Sequence, residues 1–167
     1  MADPPDFTEA FPALYRRSYA VGFRLLGRAG PAEDVAQEAL ARAFTRWSRI
    51  GDDPVGWCVK VAFRLAMDQL RTAERDRRRQ RQLIALDAPS SQDPYLADRV
   101  DLYAALRRLP RRQRQIVALR FIGDLSEQQT ATALGVSVGT VKSQASRGLD
   151  TLRQHLIPRE PSRSSHV

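Results

Sequence analysis

The sequence predicts an all-α protein built as two small helical domains joined by a linker. Three observations carry this reading. Apolar residues recur every three or four positions along most of the chain, the period of a helix with one buried face. No stretch of useful length alternates apolar with polar residues, so no sheet is expected. Residues 87–98 (DAPSSQDPYLAD) break the helical pattern with two prolines, three aspartates and two serines, the composition of a connector.

The elements follow in order. A first helix is expected over residues 8–26, with Phe11, Leu14, Tyr15, Tyr19 and Phe23 at core-like spacing. Gly27 to Gly30 form a loop that leads to Pro31, a good first helical residue because its ring presets φ. The second helix runs to about Trp47, with Val35, Ala36, Ala39, Leu40, Ala43, Phe44 and Trp47 as its apolar stripe. Residues 48–54 (SRIGDDP) are rich in turn formers. A long third helix covers residues 55–86 and ends in an arginine run. Helices resume over 100–108 and 112–122, followed by two more. The domains are therefore 8–86 and 100–157, with 87–99 as an acidic linker and 158–167 as a disordered tail.

The last two helices carry the strongest local signal, SEQQTATALGVSVGTVKSQASRGLDTLR over 126–153. Ser126 and Gln129 have capping-box spacing, in which each side chain meets the other residue's backbone N–H. Gly135 is the expected helix stop, since glycine takes positive φ without a Cβ penalty. Ser137 can cap the helix that follows. Val138, Val141, Ala145, Leu149 and Leu152 fall on one side of that helix, and Thr140, Ser143, Gln144 and Arg147 on or beside the other. This is a helix-turn-helix whose second helix suits the major groove, where such side chains reach base edges.

Composition agrees. The net charge is +8, and 25 of the 27 basic residues are arginine, the side chain that meets phosphates and guanine edges bidentately. Residues 8–86 carry +6 and residues 101–157 carry +5, while 87–100 carry −2. Two basic blocks on an acidic string favour a nucleic-acid partner over an acidic small substrate. Cys58 is the only cysteine, which excludes an intrachain disulfide or a cysteine zinc site, and its apolar flanks read as core packing. His155 and His166 have no metal or catalytic partner nearby in sequence. No cofactor, metal or catalytic residue is expected. No apolar run approaches ~18 residues, and the acidic, proline-containing start fits no signal peptide, so a cytoplasmic protein without membrane insertion is expected.

Two further faces stand out. Asp34, Gln37, Glu38 and Arg42 share one side of the second helix. An acidic cluster in a basic domain suits a protein partner with a basic helix surface; it is equally what a solvated helix start looks like. On the third helix Lys60, Arg64, Asp68, Arg71, Arg75 and Arg78 recur at three or four residues, with Trp57 at the N-terminal end. Arginines track phosphates and a ring stacks on a base for ~1–3 kcal/mol, which is what single-stranded nucleic acid needs. Asp68 has the spacing to pair with Arg64 or Arg71. Trp57 reads as a stacking platform or as a core residue.

The patterns AEDVAQEALARAF…W, then DPVGW…VA…D.LR with a basic run, then L..LP..QRQIVALRF…LS…A..LGVSVGTVKSQ.SR.L..LR resemble a bacterial sigma factor of the sigma-70 family. More narrowly they are similar to its extracytoplasmic-function group and that group's SigE-like actinobacterial branch. The resemblance spans about residues 8–156. It implies regions 2 and 4 on a flexible linker, with core RNA polymerase and promoter DNA as partners and an anti-sigma factor as a further one. It implies that Asp34, Gln37, Glu38 and Arg42 grip the clamp helices of the polymerase β′ subunit. The loop 50–56 with Trp57 matches the segment that captures an extruded −10 base. Lys60, Arg64, Asp68, Arg71 and Arg75 lie where the family meets the −10 element and its upstream backbone. Residues 106–121 would dock on the β flap. Thr140, Lys142, Ser143, Gln144 and Arg147 would read the −35 element. Arg64 stands where many members have asparagine, a departure from the family pattern in the −10 segment. Gln144 stands where an arginine is common, which implies an altered −35 base preference. From the short linker and tail, no extra regulatory domain is expected.

Two other readings differ in the first half. A stand-alone regulator with a receiver domain would need alternating strands and helices there, with a phosphorylatable aspartate at a strand end. An enzyme acting on nucleic acid would need a carboxylate, His or Cys constellation; Asp52 and Asp53 are adjacent, diverge in direction and lack a third ligand.

Overall fold

A computed structural model describes residues 6–83 and 94–156. Among the described residues every regular element is helical. The helices are α1 (Phe7–Leu26), α2 (Ala29–Thr45), α3 (Pro54–Leu83), α4 (Pro94–Arg108), α5 (Arg111–Val117), α6 (Glu127–Leu134) and α7 (Val138–Leu156). A 3₁₀ turn over Trp47–Arg49 follows α2, and a π turn over Ala118–Ile122 prolongs α5.

Helix α1 ends at Gly27, whose φ of 65° and bond to the Phe23 carbonyl close the last turn. That lets α2 start at Ala29, two residues before the expected Pro31. The two helices cross closely: a Cβ on Gly22 would lie 3.1 Å from the Ala32 Cα. Trp47 sits in the 3₁₀ turn rather than in α2. Helix α4 begins at Pro94, so the segment 94–99, expected as linker, is helical. The rest of the expected linker before Pro94, the end of the arginine helix after Leu83 and the tail at 158–167 lie outside the described residues.

The core of the first half is Val21 and Leu25 of α1, Val35 and Ala39 of α2, and Val59, Ala62, Phe63 and Ala66 of α3. Leu14, Leu40, Ala43 and Cys58 form a second cluster, with Trp57 packed against it. Of the residues expected in the core of α1, Leu14 is buried and Tyr15 is partly buried against the second cluster, but Phe11 is 44% and Phe23 43% exposed; Ser18, Val21, Gly22 and Leu25 complete the buried face. Residues repeating every four positions drift ~40° per step around a helix of 3.6 residues per turn. The aromatics therefore wind off the buried face and stack on one another, Phe11 on Tyr15, Tyr15 on Tyr19 and Tyr19 on Phe23, at centroid distances of 6.2, 6.1 and 5.9 Å. Phe44, also expected inside, is 65% exposed and meets Phe7 edge-on.

The two halves pack together. Leu106, Leu109, Val117, Leu119 and Leu125 join the core of α1 and α3 as one apolar cluster. Ile116, Ala131 and Val141 form a smaller cluster inside the helix-turn-helix. Gly123, just after the π turn, admits Val59 of α3 so closely that a Cβ there would lie 2.5 Å from the Val59 Cγ1. Polar bonds ring this contact. Arg17 donates to the Asp124 carbonyl at 2.6 Å, Arg24 to the Ile122 carbonyl, and Lys60 to the Ala133 carbonyl at 2.7 Å. Arg107 pairs with Glu74 at 2.7 Å.

Candidate nucleic-acid interface

The helix-turn-helix is assembled from its caps inward. The Ser126 Oγ accepts the Gln129 N–H at 3.1 Å, and the Gln129 Oε1 accepts the Ser126 N–H at 2.9 Å. Gly135 ends α6 at φ 63°, and Val136 bonds back to the Ala131 carbonyl. The Ser137 Oγ then accepts the Thr140 N–H at 3.1 Å and so caps α7. Val141 is fully buried, and Gly148 lies so close to α5 that a Cβ would sit 2.6 Å from the Val117 Cγ2. These two contacts fix the roll of α7 about its axis and hence the side it presents.

That side carries the expected residues with unequal freedom. Ser143 and Arg147 are exposed, and the Arg147 side chain has no partner among the described residues. Gln144 is half-buried. The Thr140 hydroxyl sits 2.9 Å from the Ser137 cap, and Lys142 pairs with Glu127 of α6 at 3.5 Å.

Helix α3 presents the second face. Its start is capped by Asp53, whose Oδ1 accepts the Gly56 N–H at 2.8 Å. The carboxylate lies over Gly56 so tightly that a Cβ would come 2.2 Å from Oδ2, which explains glycine in the DPVGW motif. Asp53 is thus a helix cap; among the described residues no group of three or more His, Cys, Asp or Glu converges. Trp57 is half-buried against Leu14, Leu40 and Cys58, so part of its ring is spent on packing. Burial, and secondarily the charge of Asp53, push the Cys58 thiol up to about 12.

Lys60, Arg64, Asp68 and Arg71 line one cleft, and Asp68 holds Arg71 at 2.7 Å. Arg75 is exposed outside that cleft, and Arg78 pairs with Glu74 at 2.8 Å. The opposite wall comes from Arg107, Arg111 and Arg114 of the second half. Reading the sequence missed this wall, because residues some forty to fifty positions apart meet only through the shared core. Burial, then the neighbouring charges of Arg64 and Arg112, draw the Lys60 ammonium below its ordinary range.

The acidic face of α2 is intact. Asp34, Gln37 and Glu38 are exposed, and Arg42 is half-buried with its Nε 2.7 Å from Glu38. Gln37 borders a shallow groove formed by Phe7, Phe11, Tyr15, Leu40 and Phe44. In residues 106–121 the leucines are buried in the shared core, and Phe121, 51% exposed, is the large apolar side chain left at the surface.

A three-helix module with a basic, aromatic-headed helix, tied to a capped helix-turn-helix, defines a two-part DNA-reading protein. A family model described as Sigma-70 region 2 matches residues 11–76, and one described as Sigma-70, region 4 matches residues 99–152. The RNA polymerase sigma-E factor of Streptomyces coelicolor is 35% identical over 133 residues, covering 77% of this chain and 73% of that protein. The ECF RNA polymerase sigma factor SigW of Bacillus subtilis is 27% identical over 169 residues, covering 92% and 90%. Among solved structures, the sigma factor RpoE in complex with the anti-sigma factor NepR from Bartonella quintana superposes with a TM-score of 0.54 at 22% identity, over 93% of this chain and 99% of that one. CnrH in complex with the cytosolic domain of CnrY gives a TM-score of 0.51 at 16% identity, over 88% and 82%. The chain belongs to the sigma-70 family of RNA polymerase sigma factors, in its extracytoplasmic-function group. Its function is promoter recognition in transcription initiation, and such proteins are DNA-binding regulators rather than enzymes. No helix among the described residues is long and apolar enough to cross a membrane.

Proposed function

We propose that residues 8–86 bind core RNA polymerase and open the −10 element, and that residues 100–157 read the −35 element. The carrying observation is that Ser143 and Arg147 stand exposed on a helix whose roll is fixed from behind by Val141 and Gly148. Thr140 and Lys142 contribute more weakly at −35, since the first is engaged by its cap and the second by Glu127. Gln144 in place of the common arginine changes the base preferred. On α3, Lys60, Arg64, Arg71 and Arg75 track the backbone of the melted strand, Asp68 orients Arg71, and the free part of Trp57 stacks on a flipped base. Asp34, Gln37, Glu38 and Arg42 face the β′ clamp helices, and region 4 meets the β flap.

The protein catalyses nothing itself, needs no cofactor and works in the cytoplasm with the polymerase. Because the chain holds the melted strand better than the duplex, binding energy is directed to the open state. An anti-sigma factor is a further expected partner, of the kind that NepR is for RpoE of Bartonella quintana. A stand-alone regulator with a receiver domain is disfavoured, since the described part of the first half is three helices with no strand.

Run-off transcription over a genomic library tests the reading. The purified chain with core enzyme initiates at a defined promoter set, while the chain alone binds those promoters weakly. Tight sequence-specific duplex binding by the isolated chain, with no effect of core enzyme, would refute it.

A further inference from the structure

The cleft between the two halves holds an excess of positive charge that the protein does not neutralise. Its volume is about 460 Å³, within the range of a small-ligand site. Lys60, Arg64 and Arg71 form one wall, Arg107, Arg111 and Arg114 the other, and Asp68 is the lone carboxylate lining it. Asp68 is taken by Arg71, and Glu74 beside the cleft is shared by Arg78 and Arg107. Arg64 and Arg111 have no carboxylate partner among the described residues. Lys60 finds only a main-chain carbonyl, and Arg114 donates only to the carbonyls of Arg107 and Leu109.

Six cations facing one another across a partly enclosed space repel, and the repulsion is larger than it would be in bulk water. It registers in the groups themselves. Burial and then Arg64 lower the Lys60 pKa, and burial and then Arg107 lower that of Arg114. The apolar core that joins the halves holds the walls together against this repulsion. A compact anion with several charges would relieve it from both sides at once. Guanidinium forks bind phosphate oxygens bidentately, which makes linked phosphates the best match to arginine walls. Tyr103 and Phe63 also line the cleft, but both are buried and Arg107 lies 5.7 Å over the Tyr103 ring, so the charged walls carry the recognition.

We propose that this cleft is a binding site for a small polyphosphate anion, which bridges the two halves and holds the chain in its closed arrangement. Such a ligand needs both walls, so it binds only when they face each other and shifts the population toward the closed form. It also occupies Lys60, Arg64 and Arg71, the side chains proposed above to track DNA. Polyphosphate binding and promoter engagement are therefore mutually exclusive. The proposal goes beyond the promoter-reading assignment and rests on the closed packing.

The test is calorimetric titration of the full-length chain with inorganic triphosphate at a fixed ionic strength of ~0.15 M, where exposed charges more than ~8 Å apart are screened. Saturable binding with one triphosphate per chain is expected. Arg111→Gln on one wall and Arg64→Gln on the other should each weaken it at least tenfold. Arg16→Gln, an exposed arginine of α1 outside the cleft, should leave it unchanged. A nucleoside triphosphate titrated in parallel identifies the source of the phosphates: tighter binding than inorganic triphosphate assigns a nucleotide, and equal or weaker binding assigns a phosphate chain alone. Absence of saturation, equal losses with Arg16→Gln, or loss from one wall only would overturn the proposal. Run-off initiation with core enzyme is measured separately, so failure of the site is distinguishable from failure of the promoter assignment.

Discussion

Arg17 of α1 reaches across to Asp124 in the turn before α6, donating to its carbonyl at 2.6 Å and meeting its carboxylate at 3.4 Å. Asp124 is the only non-glycine residue at positive φ among the described residues, at 53°. Asp tolerates that region better than most side chains, because its short polar group bonds locally. The turn is thus both bent sharply and clasped from the opposite domain.

Loosening this clasp should open the molecule. Gly123→Val places a side chain where a Cβ already lies 2.5 Å from Val59 and 2.9 Å from the Leu119 carbonyl. Overpacking of this kind costs ~1–3 kcal/mol, and here separation of the halves relieves the part of it that comes from Val59. Small-angle scattering should give a larger radius of gyration for Gly123→Val than for the parent chain, with helix content unchanged. Arg17→Ala should move in the same direction by less, about 1 kcal/mol of closing free energy. An unchanged radius in both variants would contradict the shared core as a solution feature.

Gly56→Ala should destabilise the first domain even though alanine is the better helix former. The new Cβ would come 2.2 Å from the Asp53 Oδ2 and evict the cap. Loss of a cap costs ~1 kcal/mol. Denaturant titration should register that loss, and Asp53→Ser combined with Gly56→Ala should recover most of it, because the shorter hydroxyl caps without the clash.

Cys58 sets an alkaline limit. Burial and the charge of Asp53 raise its thiol from the ordinary 9.0 to about 12, so the folded state keeps a proton that the unfolded chain gives up earlier. This stabilisation is complete below about pH 8.5 and is lost as pH rises through the window to about 12. Chemical denaturation across that window should show a steeper decline for the parent chain than for Cys58→Ala. At pH 8, thiol reagents should modify Cys58 only as fast as the domain unfolds.

Arg147→Ala should lower initiation from promoters that depend on the −35 element by roughly fivefold to a hundredfold, the effect of ~1–3 kcal/mol of base readout. Affinity for core enzyme should stay the same, since the exposed Arg147 side chain is assigned above to DNA and makes no hydrogen bond or ion pair among the described residues that its loss would disturb. Equal losses in core binding and −35 use would refute the groove assignment.

Glu38→Arg should weaken core-enzyme affinity while leaving duplex binding intact. The substitution reverses one charge of the α2 face and turns the Arg42 pair into a repulsion. A competition assay for core enzyme against a reference sigma factor measures it; unchanged competition would remove the clamp-helix assignment.

Local chemistry was legible in the sequence. The Ser126–Gln129 box, the Gly135 stop and the Ser137 cap all depend on residues within three or four positions, and each forms. The Asp68–Arg71 pair is another such short-range match. On α1 the burial of Leu14 was legible, but the exposure of Phe11 and Phe23 was not, because the aromatic spacing of four matches a helix face only for a turn or two before drifting off it. Nor was the basic wall opposite α3. Arg111 meets the cleft through leucines at 106, 109 and 119 that must first find Val59 and Phe63. The start of α4 was missed because Pro94 reads as a breaker, yet proline is well placed at a first helical position.

Arg147 and Gly148 are chain neighbours with opposite tolerances. The Arg147 side chain is exposed and unpaired among the described residues, while the glycine is jammed against Val117. On the −35 reading proposed above, substitution at Arg147 rewrites the letters this helix prefers without disturbing its seat. A lineage carrying such a scaffold would then retune its set of target genes one substitution at a time, around a neighbouring position where an added carbon forces Val117 to move.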